Sequence, residues 1–341
     1  MELSPDAERS LPSERSSFEG EPEMGVSVIS RHALVACGVS AMLVGCGGSQ
    51  PPIGAPGTMP MNSKVATESS NPKPESASGA LIYVQNDKAT YILSYATGKI
   101  IGSFDLVGGA NLCSDKDGDV FIPAKGAIYE YAHGGTTPIA QLQDTGSELL
   151  GCSVDPNSGN LAVANYYGEC NHGISCADGN IAIYTRARGK PKYYSEPTIT
   201  NYFSCAYDNA GNLFLDGRNA SQGFLFAELP RGSHNFGNID FDTRLGTVQW
   251  DGQYLAIGSY QSIDRLAISH FKVKVIGVTV LHWKVKGWHL WVQGNSVLED
   301  LAPYRVGLFP YSQGGKPTAE FSLPHGGGRP EGMAVSVDSS H

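Results

Sequence analysis

Two cysteines and a histidine lie close together in the stretch CNHGISC, which begins at Cys170 and ends at Cys176. In an exported protein, an oxidising compartment favours a disulfide between cysteines placed this near each other in a loop. Cys170, His172 and Cys176 are also side chains of the kind that bind zinc, but no fourth ligand follows nearby. The stretch therefore predicts a Cys170–Cys176 disulfide, with a zinc site and an unmodified loop as the alternatives.

Five oxygen-bearing side chains mark the ends of short apolar runs elsewhere in the chain. Glu148, Asn201 and Glu331 stand just before such runs, whereas Asn165 and Asp216 end other runs. Carboxylate and amide oxygens are the ligands that hard divalent cations prefer. These side chains can bind one cation only if the fold brings the ends of the apolar runs together. The secondary-structure elements that carry them therefore decide whether a cation site forms.

Those elements belong to a sequence motif that the chain repeats. The stretch LLGCSVDPNSGNLAVAN begins at Leu149, returns as YFSCAYDNAGNLFLDG from Tyr202, and returns one residue shorter as NLCSDKDGDVFIPA from Asn111. Each copy has an alternating apolar run, a cluster of Asp, Asn and Gly, and a second apolar run. This order predicts a strand, a tight turn and a second strand.

The turn glycines of these hairpins measure the repeat. They are spaced by 41, 52, 41 and 42 residues, at Gly118, Gly159, Gly211, Gly252 and Gly294. The long interval contains the stretch GECNHGISCADG, an insertion of about ten residues. Periods of about 40 to 45 residues with several strands in each are typical of β-propeller blades.

The two ends of the repeat region complete one blade between them. The chain ends with PEGMAVSVDSSH, a first strand without a second, and the region opens with ALIYVQN, a second strand without a first. Pairing the two strands closes the ring and removes the open edges of the array. The sequence therefore predicts an all-β, six-bladed β-propeller over residues 80–341, with the terminal blade closed by its N- and C-terminal strands.

The repeated Asp-x-x-Gly-Asn-aliphatic hairpin resembles the six-bladed propellers of the NHL-repeat and SMP-30-like superfamily. The resemblance covers nearly all of residues 80–341, and its motifs specify a fold more than an activity. Members of the SMP-30-like group hold a divalent cation in the central channel. The resemblance thus implies one possible ligand set at the channel rim: Glu148, Asn165, Asn201, Asp216 and Glu331. Polar strand ends occur in any propeller, so the residues themselves predict no catalytic residue, no metal and no cofactor.

Three further cysteines occupy matching places in the first strands of their repeats. They are Cys113, Cys152 and Cys205, and later repeats have Val or Leu at this place. A position that alternates between Cys, Val and Leu calls for a modest apolar side chain. Corresponding residues on separate blades are expected to lie beyond the reach of a disulfide, about 7 Å between Cα atoms. We expect three buried free thiols; a ring of thiolate metal ligands is the alternative.

Residues 24–45 have the pattern of an export signal. Arg31 supplies a positive start, and residues 33–44 form an apolar run that is too short to span a bilayer as a helix but suits a signal peptide. The run ends in LVGC, which resembles the bacterial lipobox and implies cleavage before Cys46 and lipid attachment to it. Several acyl chains make a stable anchor. The alternatives are a plain secretory signal and a chance apolar run.

The signal divides the chain into four parts. Met24 is the better start codon, so residues 1–23 are predicted either to lie upstream of the true start or to form a disordered extension. Residues 46–79 hold the lipidated cysteine and a tether rich in Pro, Ser, Gly, Asn and Thr, which predicts disorder. Gly47 after the cysteine favours the outer membrane by the sorting rule of lipobox signals. The propeller follows, at residues 80–341.

The stretch FKVKVIGVTVLHWKVKGWHLWV, at residues 271–292, departs most from the repeat. It places Trp283, Trp288 and Trp291 among four lysines. Exposed aromatic residues amid charge mark contact surfaces. The stretch predicts a partner-binding patch, with packing of the tryptophans between blades as the alternative.

The composition argues against one class of function, nucleic-acid binding. The net charge is −9 and only 17% of residues are charged, so the chain lacks the basic footprint of nucleic-acid binding. We expect a monomeric, lipid-anchored protein of the bacterial envelope that faces the periplasm or exterior. It binds or scaffolds envelope proteins or a small ligand without catalysis. The alternatives are a metal-dependent lactonase-like hydrolase or lyase with its site in the channel, and a domain that recognises surface glycans or peptides.

Overall fold

The computed structural model describes residues 79–171, 175–241, 246–259, 261–283, 285–326 and 328–338, apart from the side chains of residues 285–288. The predicted export signal, Cys46 and the tether up to residue 78 lie outside the described residues, as does His172. In the described part, helical structure is confined to one 3-10 turn at Thr185–Ala187. No helix there has the length and apolar character needed to cross a membrane.

The described residues form twenty-four strands. In chain order, the first twelve are β1 (Leu81–Gln85), β2 (Thr90–Ser94), β3 (Ile100–Phe104), β4 (Cys113–Ser114), β5 (Val120–Ala124), β6 (Ala127–Tyr131), β7 (Ala140–Gln143), β8 (Glu148–Val154), β9 (Leu161–Asn171), β10 (Ser175–Tyr184), β11 (Lys192–Tyr194) and β12 (Asn201–Tyr207). The remaining twelve are β13 (Leu213–Arg218), β14 (Phe224–Leu229), β15 (Gly237–Ile239), β16 (Val248–Trp250), β17 (Leu255–Ser259), β18 (Ser262–Ser269), β19 (Lys272–Val280), β20 (Val285–Gln293), β21 (Ser296–Leu301), β22 (Arg305–Pro310), β23 (Ala319–Ser322) and β24 (Gly332–Ser336).

These strands make six antiparallel sheets of four strands each, which are the blades of a propeller. Blade 1 has the order β24-β1-β2-β3, so the last strand of the chain is its innermost strand and pairs with the first, Leu81 opposite Ser336. Blades 2 to 6 contain β4–β7, β8–β11, β12–β15, β16–β19 and β20–β23. The inner strands of blades 6 and 1 contact each other as those of the other neighbouring blades do, so the ring is closed. The predicted all-β six-bladed fold is confirmed.

The repeated sequence motif corresponds to one type of turn, which joins the two innermost strands of a blade. Its glycine takes a positive φ, from +58° to +99°, at Gly118, Gly159, Gly211, Gly252 and Gly294. In four of these five turns, an aspartate side chain accepts backbone N–H groups of the turn at 2.6–2.9 Å: Asp115, Asp155, Asp208 and Asp251. Both features stabilise a tight reversal, because glycine tolerates positive φ and a short acid side chain caps the free N–H groups.

The core consists of layers between neighbouring blades. Six clusters of buried residues occupy the six blade boundaries. For example, Phe121 of blade 2 packs with Leu161 and Val163 of blade 3. Burying each such side chain contributes about 1.5–3 kcal/mol. The inner strands are thereby held rigidly around the axis.

Two blades depart from the common size. In blade 3, β9 and β10 extend beyond the sheet as a two-stranded ribbon, in which Cys170 lies opposite Cys176. The inserted stretch is thus a continuation of a hairpin, whereas the sequence predicted a loop. In blade 5, β18 and β19 are joined by a turn in which His270 and Phe271 have φ of +52° and +60°. Such a two-residue turn with two positive φ values suits a hairpin, but no glycine marks it in the sequence.

Candidate functional site

The innermost strands enclose an axial channel with three chambers. We call the face at which these strands begin the upper face, and the face at which they end, with the glycine turns, the lower face. The upper chamber has a volume of about 1030 Å³. The middle and lower chambers have volumes of about 270 Å³ and 340 Å³.

Charged side chains line the upper chamber. Four are acidic (Asp144, Glu148, Glu169 and Glu331) and two are basic (Lys125 and Arg329). Arg329 forms an ion pair with the fully buried Asp300. Asp144 is engaged in the wall, where it accepts hydrogen bonds from the Tyr184 hydroxyl at 2.7 Å and from the backbone N–H of Gly146 at 2.9 Å. Glu148 and Glu169 remain exposed.

Glu331 differs from the other acids because it is partly withdrawn from water. Burial raises the pKa of this carboxyl group, the nearby carboxylate of Asp87 raises it further, and Arg329 opposes both effects.

The five predicted ligands do not come together. Glu148 and Glu331 both line the upper chamber, and the other three do not. Asn165 is fully buried and donates to Asp144 and Asn180, each at 2.9 Å.

The other two are also engaged inside the protein. Asn201 donates to the carbonyl oxygen of Tyr166 at 3.2 Å. Asp216 is only 2% exposed, and burial raises its pKa to about 8, although the backbone N–H groups of Gly246 and Ser204 oppose the rise.

These positions decide how well a divalent cation fits the channel. Among the residues that the structure describes, no group of three or more His, Cys, Asp or Glu side chains is arranged to hold a metal ion. The ligand set that the superfamily resemblance implies is therefore not assembled here. We derive no reaction step through a metal.

The ribbon of blade 3 forms part of the upper chamber's wall. Glu169 and Cys170 line the chamber, and Cys170 is bonded to Cys176 on the facing strand. The predicted disulfide is confirmed. It fixes the ribbon beside the mouth of the channel.

A second disulfide corrects the prediction of three free thiols. Cys113 of blade 2 is bonded to Cys152 of blade 3, with their Cα atoms 5.5 Å apart. The argument from separation was wrong because the two cysteines do not share a register: Cys113 lies two residues before its turn aspartate and Cys152 lies three before its own. Since side chains alternate along a strand, Cys113 faces the boundary between blades 2 and 3, as Cys152 does. Cys205 is a buried free thiol, as predicted.

Two of the three tryptophans of residues 271–292, Trp283 and Trp291, have described side chains, and both are partly buried. Trp291 is partly buried and packs against the clusters at three blade boundaries. Trp283 packs against the cluster between blades 5 and 6, and its ring lies 5.9 Å from the guanidinium of Arg305. The side chain of Trp288 lies outside the described part, so the proposed patch is not tested here.

Three polar residues at the middle of the channel were not among the predicted site residues. Thr247 donates a hydrogen bond to the side-chain oxygen of Asn111 at 3.0 Å, and Nδ1 of His289 lies 3.4 Å from the same oxygen. Burial lowers the pKa of His289 to about 4, and the positive charge of Arg329 acts in the same direction. Asn111 and Thr247 stand just before inner strands, as Glu331 does. Applying the rule that selected Glu331 to every repeat would have found these two.

Comparison with known proteins supports the architecture. A chain in a crystal structure of a nidogen/laminin complex has a similar fold, with a TM-score of 0.59 and 15% sequence identity over 76% of this chain and 99% of that chain. A protein of unknown function from Bacteroides caccae is similar with a TM-score of 0.55 and 12% identity, over 76% of this chain and 99% of that one. No protein-family profile matches the sequence, and no curated protein matches it. At these identities the likeness shows the β-propeller fold alone.

Proposed function

We propose that this chain is a lipid-anchored protein of the bacterial envelope whose propeller binds a partner protein at its upper face, without catalysis. The observation that carries the proposal is the open upper chamber of about 1030 Å³, bordered by the disulfide-bonded ribbon of blade 3. A partner protein can therefore contact both the concave chamber and the projecting ribbon beside it.

Rigidity supports this function. The ring is closed by the pairing of β24 with β1, and the Cys113–Cys152 disulfide joins blades 2 and 3 near the axis. A pre-organised surface binds more tightly because less conformational entropy is lost on association.

The charges at the mouth favour a basic partner segment. The side chains of Glu148 and Glu169 are exposed, and neither forms a hydrogen bond or ion pair with another described residue. Of the two basic side chains in the chamber, Arg329 is already paired with Asp300. An excess of unpaired acid attracts lysine and arginine side chains and accelerates encounter with them.

Sequence and fold features support the finer assignment. The turn aspartates and glycines resemble those of the NHL-repeat and SMP-30-like hairpin, and the LVGC stretch ending at Cys46 favours lipid anchoring. One propeller of similar fold occurs in a complex between two proteins, nidogen and laminin. Protein binding is therefore a function that this kind of scaffold supports.

Site-specific photo-crosslinking in intact cells tests the proposal. A photoreactive amino acid is placed at Glu169 on the upper face or at Asp117, an exposed residue in a lower-face turn. We expect a discrete protein adduct from the first position and none from the second.

A charge-reversal variant completes the test. The double change Glu148→Lys and Glu169→Lys should abolish the adduct when the crosslinker is placed at Lys125, on the same rim. The change Asp117→Lys is the matched control and should leave it intact. Equal adducts from both faces, or an adduct that survives the upper reversal, would contradict binding at the upper face.

A further inference from the structure

The middle chamber of the channel combines an apolar wall with a few buried polar groups. Its volume is about 270 Å³, and Leu150, Phe203 and Ala110 supply much of its surface. The polar side chains on its lining are Asn111, Ser204 and His289. The Ser204 hydroxyl is already used, since it accepts the backbone N–H of Val248 at 2.9 Å.

Asn111 has an unused hydrogen-bonding group at this chamber. The residue is only 8% exposed, and its Oδ1 accepts the hydroxyl of Thr247 at 3.0 Å. Its Nδ2 has no hydrogen-bond partner among the described residues, although the residue lines both the middle and the lower chambers. Nδ2 is not among the fully buried unpaired side-chain atoms, so it opens onto the cavity, where it can donate to a ligand with an oxygen acceptor.

The electrostatic surroundings favour an uncharged ligand. Among the described residues, none of those that line the chamber has an acidic side chain that would pair with a cation. The imidazole of His289 is neutral near pH 7, since its pKa lies at about 4. The guanidinium that acts on His289, that of Arg329, is bound to Asp300, so the described part of the lining offers an anion no free cationic partner.

The chamber is reached from the upper face. Ala110, Leu150 and His289 line the upper and the middle chambers alike, so the two adjoin at these residues. An apolar cavity of about 150 Å³ binds benzene, and small-molecule sites begin at about 300 Å³. The middle chamber therefore has room for one ring with a small substituent.

We propose that the middle chamber binds a small uncharged molecule with a compact apolar body and one hydroxyl or carbonyl oxygen, which accepts a hydrogen bond from Nδ2 of Asn111. The apolar body packs against Leu150 and Phe203. This site is separate from protein binding at the upper face, and either can hold without the other.

Ligand-observed NMR on the full chain tests the site with a matched set of probes. Cyclohexanol and cyclohexanone carry the oxygen, and cyclohexylammonium and cyclohexanecarboxylate carry a charge on the same ring. We expect saturable binding of the first two, at least about tenfold tighter than that of the charged pair. Nuclear Overhauser effects from the ring to the Leu150 methyl groups should place the probe in the middle chamber.

A substitution isolates the role of the amide. Asn111→Leu keeps the side-chain size but removes the donor, and should weaken binding of cyclohexanol about tenfold. Asn235→Leu, at an exposed asparagine away from the channel, should leave binding unchanged. Binding of cyclohexanol to folded Asn111→Leu at the wild-type affinity overturns the proposal. The proposal is also overturned if the wild-type chain binds a charged probe more tightly than the uncharged ones, or if it binds neither cyclohexanol nor cyclohexanone. If Asn111→Leu does not fold, the probe series and the contacts to Leu150 decide the question on the wild-type chain.

Discussion

Cys113 of blade 2 and Cys152 of blade 3 form a disulfide across the boundary between the two blades, with their Cα atoms 5.5 Å apart. Both lie on the innermost strands of their blades, β4 and β8. The bond therefore joins the innermost strands of neighbouring blades across their shared boundary. It closes a chain segment with a sequence separation of 39.

Loss of this bond should destabilise the propeller. The loop-entropy relation assigns about 4 kcal/mol to a cross-link of this separation and about 2 kcal/mol to one that spans six residues. We expect Cys113→Ala with Cys152→Ala to lower the free energy of unfolding in urea by the larger amount. The matched control is Cys170→Ser with Cys176→Ser, which opens the ribbon disulfide of separation 6 and should cost less. Equal losses from the two pairs would refute the assignment of a larger role to the axial bond.

The outcome for these cysteines shows what local patterns can and cannot predict. The turn glycines and their aspartates are local signals, because each turn is stabilised by residues within it. They therefore predicted the number of repeats, and the unpaired strands at the two ends of the repeat region predicted how the ring closes. The distance between Cys113 and Cys152 depends on how strands from different repeats converge, which no local pattern records.

The site residues show a second limit of the sequence. Glu148 and Glu331 lie on the lining of the upper chamber, whereas Asn165, Asn201 and Asp216 do not. Pairing of β8 with β9 and of β12 with β13 shifts register near the upper face, at Leu149 and between Tyr202 and Ser204. A shift of one residue turns a side chain to the other face of the sheet. Strand ends can thus be located from the sequence, whereas the direction of their side chains cannot.

Burial of Asp216 should make stability depend on pH. Its pKa is about 8 in the folded protein and about 3.9 in an unfolded chain. Between these values the folded protein keeps a proton that the unfolded chain has lost, so stability falls as pH rises. The slope from this one group is about 1.4 kcal/mol per pH unit, and it ends above pH 8. Asp216→Asn should remove this slope from urea unfolding measured at several pH values, and Asp117→Asn, at an exposed acid, should not. An unchanged slope in the first variant would show that Asp216 is ionised in the folded protein.

Close backbone packing at the channel mouth should make Gly109 intolerant of a side chain. A Cβ atom there would lie 1.8 Å from the carbonyl oxygen of Leu149. We expect Gly109→Ala to cost about 1–3 kcal/mol, the usual range for overpacking, measured as a lower urea midpoint. Gly277 in β19 is the control, because a Cβ there has no neighbour within 4 Å. Gly277→Ala should be neutral or slightly stabilising, and a similar loss at both positions would exclude steric contact as the cause.

The outer edge of blade 5 should promote self-association at high protein concentration. Strand β19 has nine residues, whereas the other outermost strands have three to five. Val275, Val278 and Val280 on it are 48–50% exposed. Long apolar edges recruit other strands. Val278→Lys places a lysine opposite Asp264 and should lower concentration-dependent light scattering without changing stability. Ile139→Lys, at an exposed residue outside the strands, should leave the scattering unchanged. Equal effects of the two changes would assign the association to exposed apolar area in general.

Attachment of lipid to Cys46 can be tested against a second cysteine in the same segment. Cys37 lies in the middle of the apolar run and Cys46 at its end, after LVG. Lipidation requires the cysteine at the end of the lipobox, so Cys46→Ser should abolish labelling with radioactive palmitate and release the protein from the membrane fraction. Cys37→Ser should keep both the label and the membrane location, since several acyl chains on Cys46 suffice for stable anchoring. Label retained in Cys46→Ser, or lost in Cys37→Ser, would contradict the lipobox assignment.

Gly47→Asp, which keeps the acylated cysteine, should move the labelled protein from the outer to the inner membrane, because aspartate after the cysteine favours inner-membrane retention by the sorting rule of these signals.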